Sequence, residues 1–345
     1  MKSVITSIAL VLLAMSAVWA GLAPGGSQIQ AKTWFRYTYE TCDGETEYSG
    51  FDVARGYFVW THQFTDRIGS KFNIDVYSSD KDTDTKGAGL KIKAAYLEFK
   101  NLPFKDAKIQ AGVIKNYFGT VYDWNYTTIQ KALEDKEKVV SSADAGIALA
   151  GYIPSGFGEY HIGLYNGEGY SKFGSNINKY PTLGGNVRFI PIPGLTLGGS
   201  AQFTNDEETT VDTLGVETTK SWSIMKAAGV GRFAMGPVDL WGEFLMQKVD
   251  ETTSRGFMIL PTVMLGKNLQ ILARYDNWDK DTENDDDAHS RMIVGLNWFI
   301  SKNKNGKPET QIQVNWERKI PEAEGANPVD EFIFQLRWEF KSNAF

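Results

Sequence analysis

The side chains in this sequence best placed to do chemistry are cations. Arg55, Arg188, Lys226, Arg232, Arg274, Arg291 and Arg337, with Glu98 among them, stand at alternate positions in segments whose intervening residues are largely apolar. Arg36, Lys71 and Lys108 follow the same rule, while Glu40, Asp75, Asp239, Glu243, Asp276, Glu317 and Glu339 reduce the excess to a small basic one. A guanidinium forks two hydrogen bonds onto a carboxylate or phosphate. The chemistry on offer is therefore reversible recognition of small anions, with a mild anion preference as the expectation.

Covalent chemistry has no comparable support. His62, His161 and His289 are scattered, and neither a serine-centred glycine elbow nor a zinc-binding HExxH occurs. The acidic runs Asp80, Asp82, Asp84 and Asp279, Asp281, Glu283, Asp285, Asp286, Asp287 lack the glycine and the terminal acid of a calcium loop. Cys42 is the one cysteine, in a turn-like Thr41-Cys42-Asp43-Gly44, and has no partner for an intramolecular disulfide. No catalytic residue, metal or cofactor is expected. The net charge of −6 argues against a nucleic-acid partner.

The elements that must hold the cations are strands. In Glu331 to Phe340, residues Phe332, Phe334, Leu336, Trp338 and Phe340 share one parity, and Ile333, Gln335, Arg337 and Glu339 the other. A strand turns that alternation into an apolar face and a polar one. The pattern repeats from 31–40 to 331–340, sixteen times. Short turns, such as Thr65 to Arg67, Asn101 to Asp106, Pro191 to Gly194 and Gly266 to Lys267, alternate with long polar connections at 41–50, 79–89, 118–143, 167–181, 205–221, 278–289 and 319–330. The connection 249–255 is intermediate, and 301–309 is a long turn on the short-turn side.

Every even strand ends at Phe64, Phe99, Tyr152, Phe189, Phe233, Leu265, Trp298 or Phe340; seven of these eight are aromatic in a chain that is 13% aromatic. Aromatics at that position suit a membrane interface. The expectation is an all-β fold, a transmembrane antiparallel β-barrel of about 16 strands with a polar lumen. Phe58, Trp60, Ala95, Leu97, Val187, Met292, Val294 and Leu296 then face lipid. Segments 144–152 and 256–265 are apolar on both parities, and Pro261 interrupts the second. Either a loop covers them from within or their register is displaced.

Lys2, the apolar run Val4 to Val18 and Ala20 read as a secretory signal peptide, 1–20, leaving 21–345 as the barrel. No later segment approaches the ~20 apolar residues of a helical span. A hydrophobic fraction of 42% is compatible with a barrel, because lumen residues dilute lipid-facing ones.

Several segments carry a family likeness: Ala94 to Lys100, Gly163 to Gly169, Ala273 to Asp276, Gly295 to Trp298 and Phe334 to Phe340. On these the chain resembles the outer-membrane porins typified by the phosphate- and polyphosphate-selective porins. The resemblance implies a sixteen-stranded homotrimeric channel in the bacterial outer membrane, facing the lipid bilayer and lipopolysaccharide and passing small hydrophilic solutes. No lysine-rich phosphate cluster matches residue by residue. A structural or adhesive barrel is the alternative.

Connection 118–143, the third external loop, carries helical spacing: Thr128 as cap, Ile129, Leu133, Lys136 and Val140 on one face, and Glu134 reaching Lys138. It is expected to fold inward against Ile147 and Leu149 and to constrict the pore with Asp123, Lys131, Glu134, Asp135 and Lys136, whose mixed signs set a transverse field.

Overall fold

The computed structural model describes residues 22–79, 87–172, 179–211, 217–304 and 306–344. The expected signal peptide, 1–20, and Asp80, Asp82 and Asp84 lie outside the described residues. The strands are β1 Ser27–Cys42, β2 Glu45–Gln63, β3 Ile68–Ser78, β4 Ala88–Lys100, β5 Ala107–Lys115, β6 Ala143–Ile153, β7 Gly158–Tyr165 and β8 Thr182–Ile192. They continue as β9 Leu195–Val211, β10 Glu217–Met235, β11 Val238–Val249, β12 Thr252–Leu265, β13 Leu269–Asp279, β14 His289–Lys302, β15 Pro308–Pro321 and β16 Val329–Ala344. Each pairs antiparallel with its neighbour, and β1 closes on β16 without a register shift from Ser27↔Ala344 to Cys42↔Val329. Closure leaves no strand edge, which a hydrocarbon surround requires.

The alternating pattern sorts the two faces as expected. Phe58, Trp60, Leu97, Val187, Met292, Val294, Phe332, Phe334 and Trp338 are exposed on the outside. Inside, Asn297, Gln313 and Gln335 are buried in one chain, with Gln335 Nε2 donating to Gln313 Oε1 at 2.8 Å and Gln313 Nε2 to Asn297 Oδ1 at 3.0 Å.

Several expectations need correction. The connection at 41–50 is a two-residue turn, Asp43-Gly44, with φ of 52° and 81°, the left-handed pair that matches hairpin twist. Likewise β9 runs to Val211 and β10 starts at Glu217, and only Asp250 and Glu251 separate β11 from β12. Tyr48, Thr209, Thr210 and Thr253 are β-formers within polar stretches of sequence, so these hairpins stay paired well beyond their apolar part.

In β6 the parity is reversed. Ile147 pairs with Ala111 and Leu149 with Ile109 on the outer face, while Asp144, Ala148 and Ala150 face inward. Ile147 and Leu149 therefore do not receive the loop. Tyr152 shares the inward parity and is not a lipid-facing girdle residue. In β12 the inward Met258 and Leu260 are fully buried, and Pro261 sits where the β12–β13 ladder skips from Ile259↔Tyr275 to Thr262↔Leu272 without changing register.

The outer face predicts a depth-dependent penalty for charge. Val294→Arg, in the outward band of β14, should destabilise the folded barrel by roughly 2–4 kcal/mol. Equilibrium unfolding from lipid vesicles measures it, and a neutral effect would mean that this band does not contact hydrocarbon.

Candidate functional site

The connection between β5 and β6 folds into the barrel. Its path is set by polar side chains that point inward from successive strands. Near its start, Ser200 accepts the Gly119 amide at 3.0 Å, and Gln202 Nε2 donates to Asn116 Oδ1 at 2.7 Å. At the far end, Gln313 Nε2 donates to the Tyr126 carbonyl at 3.0 Å and Arg337 to the Asn125 carbonyl at 3.2 Å, while the Tyr126 ring lies 5.6 Å from Trp34 of β1. The return limb is held by Asn315 Nδ2 donating to Gln130 Oε1 at 2.7 Å and by Arg274 donating to the Lys131 carbonyl at 2.7 Å.

Apolar contacts reinforce this path. Phe118, Val121, Ala132, Leu133, Val139 and Val140 pack with Ala228, Leu245, Met258 and Trp278 of β10 to β13, and of the expected face only Leu133 and Val140 take part. The loop is helical only at α1, Leu133–Lys136; Ala132 precedes it, and Thr128 donates to the Gln130 carbonyl instead of capping. One turn is too short for the expected 3.6-residue face, and the path is dictated by the wall.

Two buried clusters fasten the loop. Glu134 of α1 meets Glu243 of β11 with no base between them. Val121 N donates to Glu134 Oε1 at 2.6 Å, and Thr120 donates to Glu243 through its amide at 3.0 Å and its hydroxyl at 2.9 Å. Burial raises the Glu134 carboxyl above its ordinary value. A proton held by one of the pair would remove the clash of two carboxylates. The second cluster is ionic. Arg274 forks onto Asp276 at 2.7 Å, and Arg291 reaches Asp276 at 3.0 Å, Glu317 at 2.8 Å and Glu137 at 2.9 Å, with His289 3.2 Å from Glu137. Burial works against the Glu137 charge, but the bonds from His289 and Arg291 outweigh it and hold the carboxyl down at about 2.

These contacts reassign several expected pore-lining residues. Arg188, Arg274 and Arg291 are each 2% exposed and lie beneath the loop as anchors. Arg188 donates to the Gly119 carbonyl, lies 3.5 Å from Asp123 and stacks on Tyr122. Glu134 is likewise buried and cannot line an opening. Arg232 is lumenal but forked onto Asp239 at 2.9 and 2.7 Å. Lys226 points inward within electrostatic reach of Glu168 and Asp144. Arg55 is paired with Asp75, and Glu98 takes Lys108 at 3.0 Å. In the loop, Lys131 meets Asp135 at 3.3 Å and Lys136 lies 3.7 Å from Glu317.

The loop lies along β8 to β16, and the other wall carries a second group of cations. Lys71 stands within electrostatic reach of Lys115, Lys32 and Lys108, and among the described residues neither Lys71 nor Lys115 has an ion pair. Across from them, Asp123 acts on Lys115 and Asp135 on Lys93. Lys32, Lys93 and Lys115 were not singled out by parity. Lys93 occupies the bulge where pairing passes from Asn73↔Ala94 to Ile74↔Ile92, and a period of two gives no sign of such a bulge. Lys32 shares the parity of Trp34 and Arg36 and was legible. Among the described residues no group of His, Cys, Asp and Glu is arranged to hold a metal.

No family model matches the chain, and no curated protein sequence does. Solved structures do. The trimer form of OmpT, an outer membrane protein of Vibrio cholerae, aligns at TM-score 0.63 and 9% identity over 91% of this chain and 99% of that one. Salmonella typhi OmpF, in complex with daunomycin, aligns at 0.64 and 12% over 92% and 98%. The outer membrane channel DcaP of Acinetobacter baumannii aligns at 0.63 and 11% over 92% and 100%. The fold is that of an outer-membrane barrel. With the apolar outer band, it supports a bacterial outer-membrane location. At these identities the likeness is one of fold, and it does not extend to the phosphate-selective type.

The anchors predict opposite pH responses. Glu134 is raised, so its contribution is complete below the unfolded carboxylate value of about 4.3 and is lost as pH rises through its folded value. Glu137 is depressed, so its contribution is present above that unfolded value and is lost as pH falls towards about 2. Protection of the Thr120 and Val121 amides against hydrogen exchange, corrected for intrinsic rate, should fall with rising pH in the wild type and much less in Glu134→Gln. Equal pH dependence in the two proteins would refute a proton held by the pair. Arg291→Ala leaves the buried Asp276 and Glu317, and the largely buried Glu137, short of their cation and should cost about 3–5 kcal/mol in equilibrium unfolding.

Proposed function

We propose that the chain is a porin of the bacterial outer membrane: a passive, cofactor-free diffusion channel for small hydrophilic solutes with a mild anion preference. The observation that carries this reading is the inward loop, which brings Asp123 within electrostatic reach of Lys115 and Asp135 within reach of Lys93 on the wall opposite its anchors. A solute there meets cations fixed to a rigid wall and acids fixed to a clamped loop. The anion preference follows from the wall lysines that lack ion pairs, because the arginines beneath the loop are neutralised by their partners. A homotrimer fits the resemblance and the trimer form printed for the Vibrio cholerae protein. Lipopolysaccharide is the outer-leaflet neighbour that an outer-membrane barrel of this kind meets.

Planar-bilayer recordings test the proposal. Under a salt gradient the reversal potential should report anion preference, and Lys71→Glu with Lys115→Glu should move it towards cations. Arg274→Gln, beneath the loop, should leave the sign unchanged in any folded barrel. A cation-selective wild type would overturn the anion preference, and absence of conductance the porin reading. Deleting Thr127 to Val140 should raise conductance several-fold in a barrel that still folds, since every strand keeps its backbone partners. Unchanged conductance would place the narrowest point elsewhere.

A further inference from the structure

The short turns of the barrel differ in charge. Thr65 to Arg67 and Asn101 to Asp106 each balance one acid with one base, and Pro154–Gly156, Pro193-Gly194 and Gly236-Pro237 carry none. The β12–β13 and β14–β15 turns stand apart. Lys267 lies in the first and Lys304 and Lys307 in the second, with Lys302 ending β14 beside them and no acid from Gly266 to Asn268 or from Ser301 to Lys307. The nearest acid along the chain is Glu309.

The two turns form one surface. The Lys302 ammonium donates to the Lys267 carbonyl, and the Phe299 amide to the Asn268 carbonyl at 2.8 Å. Lys267, Lys304 and Lys307 are exposed, and Lys341 is exposed at the same end of the nearby strand β16. Among the described residues no ion pair holds any of these four. On the outer face immediately above the turns, Leu265, Trp298 and Ile300 are exposed.

That vertical order specifies a partner. Apolar and aromatic side chains at a barrel's edge mark the boundary of the hydrocarbon, so charges one turn beyond them lie at headgroup depth. Ammonium groups at that depth attract anionic lipid, and lysine binds phosphate as a point charge. We propose that this sector of the short-turn rim is a binding surface for the phosphate headgroups of anionic phospholipid, with phosphatidylglycerol as the test lipid. A balanced rim would have no such preference, and the other short turns supply that comparison within the same molecule. The proposal requires only that the barrel sits in a bilayer, and it does not rest on conductance.

The experiment compares the folded barrel in phosphatidylcholine vesicles with and without phosphatidylglycerol. Phosphatidylglycerol should raise the thermal unfolding midpoint of the wild type and remain bound through mild detergent extraction. Lys267→Gln with Lys304→Gln and Lys307→Gln should abolish the midpoint difference and weaken lipid retention on the order of tenfold to a hundredfold. Arg67→Gln with Lys105→Gln, on the balanced turns, should change neither. These are exposed side chains, and Lys304→Gln with Lys307→Gln serves as a milder pair if the triple variant folds poorly. Inorganic phosphate added to phosphatidylcholine vesicles should not reproduce the effect. Equal midpoints in the two lipids, an undiminished difference in the triple variant, or full replacement by free phosphate would each overturn the proposal.

Discussion

In hydrocarbon a backbone amide has no partner except another part of the protein. That constraint decides the architecture: each strand satisfies its neighbours, and β1 must satisfy β16 because nothing else will. It also decides where sequence freedom lies. With the backbone bonds committed to the ring, side chains need only alternate, and very different sequences meet that demand. A barrel can therefore share its course with proteins to which it is 9% to 12% identical.

The lumen obeys a different balance. Inward-facing Arg188, Arg274 and Arg291 are surrounded by loop carbonyls and by Asp276, Glu137 and Glu317, so their charge is spent on position. Among the described residues Lys71 and Lys115 have no ion pair, so their charge is not spent on position in this way. Guanidinium groups suit the first role because they fork onto several acceptors at fixed angles, and ammonium groups suit the second because they are flexible point charges. A residue's sign therefore says less about selectivity than its partners do.

The period of two made the strands, their number and most of their faces legible, as Phe332 to Phe340 illustrates. It failed where period and geometry part. Lys93 sits on a bulge, and β6 has alanines on one face and larger apolar residues on the other, so neither parity stood out as polar. The hairpin β1–β2 stays paired through polar residues that composition assigns to a loop. For the loop, its apolar residues were visible but its fastening was not. Glu134 looks like any helix-surface acid until Glu243, far along the chain, is placed against it, and no local pattern encodes that meeting.

The seam between β1 and β16 bears on how the molecule comes into being. The other fifteen pairings join strands adjacent in sequence and form from nearby chain, whereas Ser27↔Ala344 joins residues almost the full chain apart. Loop closure of that length is the entropically costly contact, and long-range pairing slows folding. Until the ends meet, both seam strands present unpaired amides and carbonyls. Any state in which the other pairings precede closure is an open sheet and the most adhesive form of the chain, the one in which a chaperone or an insertion machine would have most to protect.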